Sequence, residues 1–257
     1  MKRNEESRVK QSLTCEFFVS DCATENIWDQ VKLRPKLVDI TSCQFALHYA
    51  FESYEKACTM LHNACSHLEV GGYFIGIIPN SFEILRHFKK KGFGKISSNI
   101  FEIRMDAFEN KLFGDIYHFK LDELVDCPEY LIYFPLLKEM LKKYDMRSIK
   151  WEPLTNFFLQ NFNQNIKAMG FMKSLKTFTD FELTKIKQSA SIGGLNYSHI
   201  LDSLLKGRIK SSRNLLSLSV EEWQVVKFYS VFVFKRDPPI PEPLIDISFL
   251  CTHFVLS

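Results

Sequence analysis

The order of segments between Lys36 and Glu83 restricts the folds open to this chain more than any other feature. A β-branched run from Lys36 to Cys43 delivers Gln44, His48 and Tyr49 into a loop, and an amphipathic helix follows at once. GGYFIGIIPNSFE, Gly71 to Glu83, then supplies a second strand, apolar on both faces as a central parallel strand covered by helices must be. Strand, loop, helix, strand is the repeating unit of an α/β sheet. Open parallel sheets bind ligands in the crevice beyond their strand tips, where this loop falls.

Local signals extend the pattern. Residues 1–12 read as the polar end of a helix, and CEFFVSD, Cys15 to Asp21, as a short strand ending in an acid. Phe51, Tyr54, Cys58, Leu61, Cys65 and Leu68 recur at steps of three and four, which predicts one apolar helix face. Gly71-Gly72 is positioned to close that helix with a left-handed cap, and Asn80 with Glu83 to open the next one. Alternation near Asn99–Arg104 and Asp115–Leu121 predicts an antiparallel hairpin. Pro128 to Tyr144 reads as a proline-led helix, RSIKWEP as a strand, and Leu154 to Ile166 as a helix. Residues 167–218, rich in Lys, Ser and Asn, carry little regular signal and read as a partly mobile insert. Val225 to Lys235 is the last strand. One domain over 1–235 and a Pro-rich, apolar tail over 236–257 follow.

Composition sets the compartment. Hydrophobic residues make up 46% and charged residues 25% of the 257, ordinary for a chain with a sizeable core. Before Arg236 the chain holds 32 basic and 27 acidic residues, which permits an anionic partner without requiring one. The seven cysteines form no CxxC pair, so neither metal-ligand spacing nor a disulfide framework is expected. A reducing compartment, cytosol or nucleus, follows. No stretch reaches the roughly 20 apolar residues of a membrane span, and the start lacks the apolar core of a signal peptide.

The candidate functional residues sit at strand ends. Asp21 ends the first strand, Gln44 follows the second and Asn80 the third. Asp21 is placed to accept from an exocyclic amine, although a cap on its own turn is the simpler role on residues alone. His48 and Tyr49 leave the Gln44 loop toward the same crevice. Glu129, read at the start of the proline-led helix, suits either the helix dipole or a ring presenting two N–H donors. Tyr229 reads by default as core. No nucleophile elbow, phosphate-binding loop or zinc-protease motif occurs.

FFVSDC, CQFALHYAFESYE, GGYFIGIIPNSFE, CPEYLIYFPLLKEM and EEWQVVKFYSVFVF together resemble the mRNA cap (guanine-N7)-methyltransferases, in that family's order. The resemblance implies an S-adenosylmethionine-dependent enzyme of the class I, Rossmann-like α/β fold, acting on the capped 5′ end of mRNA in the nucleus. An activating protein subunit is a further partner to consider, and neither DNA nor a membrane is. It also implies that Asp21 contacts adenine, that Gln44 and Tyr49 line the cofactor site, and that His48, Glu129 and Tyr229 contact the cap guanine. No residue is implied as an acid-base catalyst, because guanine N7 is a free lone pair and the task is alignment.

The family's glycine-rich turn and the acid that binds the cofactor ribose have no match here. In the family's strand order, 3-2-1-4-5-7-6, the first strand of this chain is then left without neighbours and the Lys36–Cys43 strand becomes an edge. The expectation is a sheet lacking its first strands and an impaired enzyme. A catalytically inactive fragment or pseudoenzyme that binds RNA or a protein partner is the alternative, and a methyltransferase acting on a small molecule a third.

Overall fold

The second strand of the opening unit is the centre of the observed sheet. In the computed structural model, which describes residues 15–32, 37–172, 176–207 and 216–239, β1 (Val38–Gln44) lies parallel to β2 (Leu68–Pro79). On the other side of β2 runs the antiparallel β12 (Tyr229–Arg236), and beyond it β7 (Met146–Pro153), giving the order β1-β2-β12-β7. That is the 4-5-7-6 half of the expected order, with β1 at the edge among the described residues. The α/β class is as expected.

Between β1 and β2 lies α1 (Tyr54–Cys65), opened by Ser53, whose side chain accepts from the Lys56 N–H. Its buried face runs through Ala57, Leu61 and Cys65, while Tyr54 is exposed and Cys58 half-buried. The anticipated stripe holds at Leu61 and Cys65 but fails in the first turns, where Ala57 rather than Tyr54 or Cys58 turns inward; Phe51 and Leu68 are buried from outside the helix. Gly71-Gly72 does not cap this helix either. The helix ends at Ser66, and β2 carries an irregularity in which Val38 pairs with Leu68 but Ile40 with Tyr73. Gly71, at φ 89°, takes the left-handed turn inside that bulge.

Asn80 opens α2 (Ser81–Lys91) as expected, its side chain accepting from the Glu83 N–H at 3.1 Å. The anticipated hairpin is β4 (Phe101–Met105) with β5 (Ile116–Leu121). It belongs to a four-stranded antiparallel sheet completed by β3 (Gly94–Ser97) and β6 (Val125–Tyr130), in the order β3-β4-β5-β6. Pro128 thus lies in a strand, opposite His118, rather than opening a helix. Among the described residues β6 is an edge strand, where a residue without an N–H is tolerated. The helix α3 (Phe134–Lys142) starts six residues later, with a proline in its first turn.

Two cores flank this arrangement. Phe51, Leu61, Phe74, Leu137 and Phe232 pack α1 and α3 against the first sheet. Phe88, Ile103, Tyr117, Phe228 and Tyr229 join α2, the second sheet and the start of β12.

The stretch from 167 to 218 is more regular than its composition indicates. It contains the end of α4 (Leu154–Met172), β8 (Lys176–Thr177), α5 (Asp180–Ser189), β9 (Ser191–Ile192), β10 (Leu195–Asn196), α6 (Ser198–Leu205) and β11 (Leu216–Ser217). Five buried residues, Phe178, Leu183, Ile186, Tyr197 and Ile200, form a small core among its described residues. α7 (Val220–Lys227) then precedes β12, so the last strand begins four residues later than read.

Cys15 to Asp21 forms no strand, and Phe17 and Val19 are exposed. The next turn is anchored by Asn63 of α1, which donates to the Cys22 and Glu25 carbonyls at 2.9 and 2.7 Å and accepts from Ile27 N–H. The helix end read at 1–12 and the tail from 240 lie outside the described residues. Hydrogen exchange is accordingly expected to be fast at 15–21 and slowest in Tyr73–Ile78 and Tyr229–Phe234. Protected amides at Phe17 and Val19 would show that this segment pairs with something else.

Candidate functional site

Three strand ends meet at one rim. The β1–β2 register places Gln44 opposite Ile77, and the β2–β12 register places Tyr229 opposite Pro79. Phe45 follows with a left-handed backbone, φ 55°, held by its N–H to the Ile77 carbonyl at 3.0 Å. This turn feeds a short 3-10 helix, Leu47–Glu52, which carries His48 inward and Tyr49 to the rim.

Glu129 faces them from β6. The helix start expected there does not form: Glu129 is the next-to-last residue of β6, opposite Tyr117 of β5 in the ladder. The side chain is 3% exposed, and no lysine or arginine pairs with it among the described residues. Its partners are two phenols and an imidazole. Tyr117 donates a short hydrogen bond to Oε2, and the Tyr49 hydroxyl approaches Oε1 at 3.4 Å. His48 Nε2 lies 3.3 Å from Oε1, but without hydrogen-bond alignment, so both buried ring nitrogens are left unbonded. Buried polar groups rarely stay unpaired, and those that do point to a ligand or water.

The phenols around this carboxyl group all hold their protons more tightly than usual. Burial raises Tyr117 and Tyr229, and the Glu129 charge adds to it. Burial also raises Tyr49, followed by its contact with the Cys127 thiol at 3.4 Å. Tyr229 meets the Phe45 ring edge-on at 5.0 Å, and Tyr49 lies against His48 at 4.2 Å. The result is a buried carboxylate, an acceptor pair, ringed by aromatic side chains, a chemistry that matches a flat ring offering two N–H groups.

The structure thus brings His48, Tyr49, Glu129 and Tyr229 together. Asp21 and Gln44 stand apart from them. The Asp21 carboxylate is exposed and accepts from Ala23 N–H at 2.9 Å, and that bond lowers its pKa first, with Thr24 adding to it. The Gln44 amide donates to Ser42 Oγ at 2.9 Å. Their chain neighbours Cys22 and Cys43, though neither Asp21 nor Gln44 itself, line a largely apolar cavity of about 440 Å³ together with Trp28, Ser42, Asn63 and Phe74 among others. Its volume suits one nucleoside-sized group. Burial pushes the Cys43 thiol up to about 11, so this wall stays neutral.

Sequence reading missed Tyr117, Cys127 and Phe45. Tyr117 and Phe119 do alternate inward on β5, but only the strand register reveals which of them meets Glu129. Tyr117→Phe is expected to cost about 1–3 kcal/mol of stability, because Glu129 Oε2 loses its buried donor. Urea denaturation checks this, and a loss below about 0.5 kcal/mol would mean that water or a rotated carboxyl group replaces the phenol.

Known proteins resemble this chain in sequence. A family model described as the mRNA (guanine-N(7))-methyltransferase domain matches residues 1–237. The mRNA cap guanine-N(7) methyltransferase of Drosophila melanogaster is 29% identical over 240 residues, covering 92% of this chain and 54% of the relative. The proteins of that name from Caenorhabditis briggsae and Caenorhabditis elegans are 31% and 32% identical, over 86% and 87% of this chain and 58% and 59% of theirs. The chain therefore spans a little over half the length of these relatives. With a match across nearly all of its length up to the end of β12, this chain belongs to the mRNA (guanine-N(7))-methyltransferase domain family.

Proposed function

We propose that this chain serves methyl transfer from S-adenosylmethionine to N7 of the guanine cap of mRNA. The observation that carries the reading is the buried Glu129 carboxyl group beside a His48 ring with two unbonded nitrogens. Glu129 accepts the N1 and amino hydrogens of guanine, which fixes the purine plane and turns N7 outward. His48 supplies a further polar contact, and Tyr49 and Tyr229 wall the ring. No proton need leave N7, so these residues act by orientation and by suiting the positive charge that the methylated purine acquires.

The apolar cavity, flanked by the neighbours of Asp21 and Gln44, would take the adenosine end of the cofactor. Asp21 would accept from the adenine amine, and Gln44 and Tyr49 would line the remainder. When bound, the cofactor supplies an electrophilic methyl group. The capped 5′ end of mRNA is the macromolecular partner, an activating subunit is compatible with this role, and the nucleus is its place. Among the described residues no helix is long and apolar enough to cross a membrane.

One observation favours a second reading, in which the chain binds RNA or a protein without turnover. The Asp21 carboxylate is exposed and already engaged by its own turn. Calorimetry with S-adenosylmethionine, paired with a methylation assay on capped RNA, separates the two. Micromolar binding, about −8 kcal/mol, together with turnover supports the enzyme. Cap-analogue binding without cofactor binding or turnover would move the chain to the second reading.

A further inference from the structure

A second cavity, of about 290 Å³, opens between the C-terminal half of α2, the β3–β4 hairpin and the end of α7. Arg86, His87, Lys90 and Lys227 line it, against a single carboxylate, Glu83. That carboxylate is already taken. Arg86 binds it through two hydrogen bonds of 2.8 and 2.6 Å, which hold its pKa down and fix the guanidinium in place. His87 is likewise held, its Nδ1 bonding the Glu83 carbonyl at 2.9 Å and its ring meeting Phe228 at 5.1 Å. Lys90 and Lys227 are exposed and have no ion-pair partner among the described residues. The floor is rigid, since Phe228 packs edge-on against Phe101 and both are buried.

Its position relates it to the guanine pocket. Ile96, which lines this cavity, pairs with Ile103, Ile103 with Phe119, and Phe119 with Cys127 beside Glu129. One register row of the second sheet therefore runs from cavity to pocket. Three strand spacings make about 14 Å, roughly four nucleotides at the ~3.4 Å rise of a stacked strand. Two unpaired lysines and an arginine held by Glu83 around a cavity at the far end of that row match a phosphate backbone.

Resting on the cap-guanine reading, we propose that this cavity seats backbone phosphates of the RNA chain a few nucleotides from the cap. Lys90 and Lys227 neutralise phosphates, and Arg86, pinned by Glu83, orients them. Contacts to the backbone position an RNA without reading its sequence.

The test is fluorescence anisotropy with a labelled, uncapped ten-nucleotide RNA. The double variant Lys90→Ala/Lys227→Ala is expected to bind about tenfold more weakly, with a salt slope smaller by about 1.4, near 0.7 per lost contact on a single strand. Lys138→Ala/Lys143→Ala, exposed lysines of α3 and its C-terminal cap, removes the same charge elsewhere and should change neither. Equal losses in both double variants, or none in either, would overturn the proposal. So would a poly-glutamate peptide of equal charge competing as well as RNA, which would mark a protein-docking surface instead. Cap-analogue binding should survive in Lys90→Ala/Lys227→Ala, and uncapped-RNA binding in Glu129→Gln. Failure of this site and failure of the cap-guanine reading therefore show in different measurements.

Discussion

Glu129→Gln is expected to weaken binding of a guanine cap analogue by about 10- to 150-fold, the equivalent of one charge-assisted hydrogen bond of ~1.5–3 kcal/mol. The amide still accepts one guanine hydrogen through its oxygen, but presents N–H where the second acceptor is needed. It also removes the negative charge that suits a methylated, cationic purine. Stability should move the other way or not at all. Glu129 is 3% exposed, and its neighbours are phenols and an imidazole rather than a lysine or arginine. A neutral amide is less costly to bury there, and its oxygen can still accept from Tyr117. Loss of ligand affinity with retained melting temperature is the behaviour of a group held for binding at the expense of stability. Titration of the cap analogue, melting curves and cofactor calorimetry on the variant are the measurements. A large drop in melting temperature, or equal losses for cofactor and cap analogue, would make Glu129 a structural residue.

Gly76→Ala should be among the most damaging single-methyl changes in this chain. Gly76 lies at the centre of β2, between Cys43 of β1 and Phe232 of β12. A methyl group there would stand 2.2 Å from the Cys43 carbonyl oxygen and 2.5 Å from the Phe232 ring. The ring is fully buried in the larger core and the oxygen belongs to the backbone, so neither can yield cheaply. The loss should be about 3 kcal/mol or more, which lowers the melting temperature by roughly 6–12 °C at this chain length. Because the clash pushes β1 outward, Gln44 and the His48–Tyr49 turn should shift with it, so cap-analogue affinity should fall as well. Thermal melts and titration check both parts. A shift under about 2 °C would mean that β1 slides at little cost.

Much of the scaffold was legible in local chemistry. β1, β2 and β12 follow from β-branched and aromatic runs, and α2 from Asn80 and its spacing to Glu83, because each signal acts within a few residues. His48, Tyr49, Glu129 and Tyr229 were named as site residues from the family resemblance, and they do converge. Their convergence was not readable from spacing, since Tyr49 and Glu129 are 80 positions apart and meet only through the second sheet.

Several local signals were outvoted. Pro128 looks like a helix start, yet serves equally well on an edge strand, and only the sheet order makes β6 an edge. Gly71 looks like a cap, yet its positive φ suits a bulge just as well. The stripe on α1 held at Leu61 and Cys65 but not at Tyr54 and Cys58, because Phe51, which set its phase, lies in the preceding 3-10 helix and is buried from there. Cys15 to Asp21 has strand-forming residues, but a strand needs a neighbour to satisfy its backbone, and none lies beside it among the described residues. The polar stretch from 167 to 218 concealed a core of five side chains, too few to stand out in composition.

By itself, then, the sequence determined which segments are strands and helices wherever caps and periodicity agree, and through its motifs the family. Tertiary structure decided the pairing of Tyr117 with Glu129, the unbonded His48 ring, the closed space at Gly76 and the basic cavity beside Phe228. Each of these depends on strand register and packing between residues distant in sequence, which no local periodicity encodes.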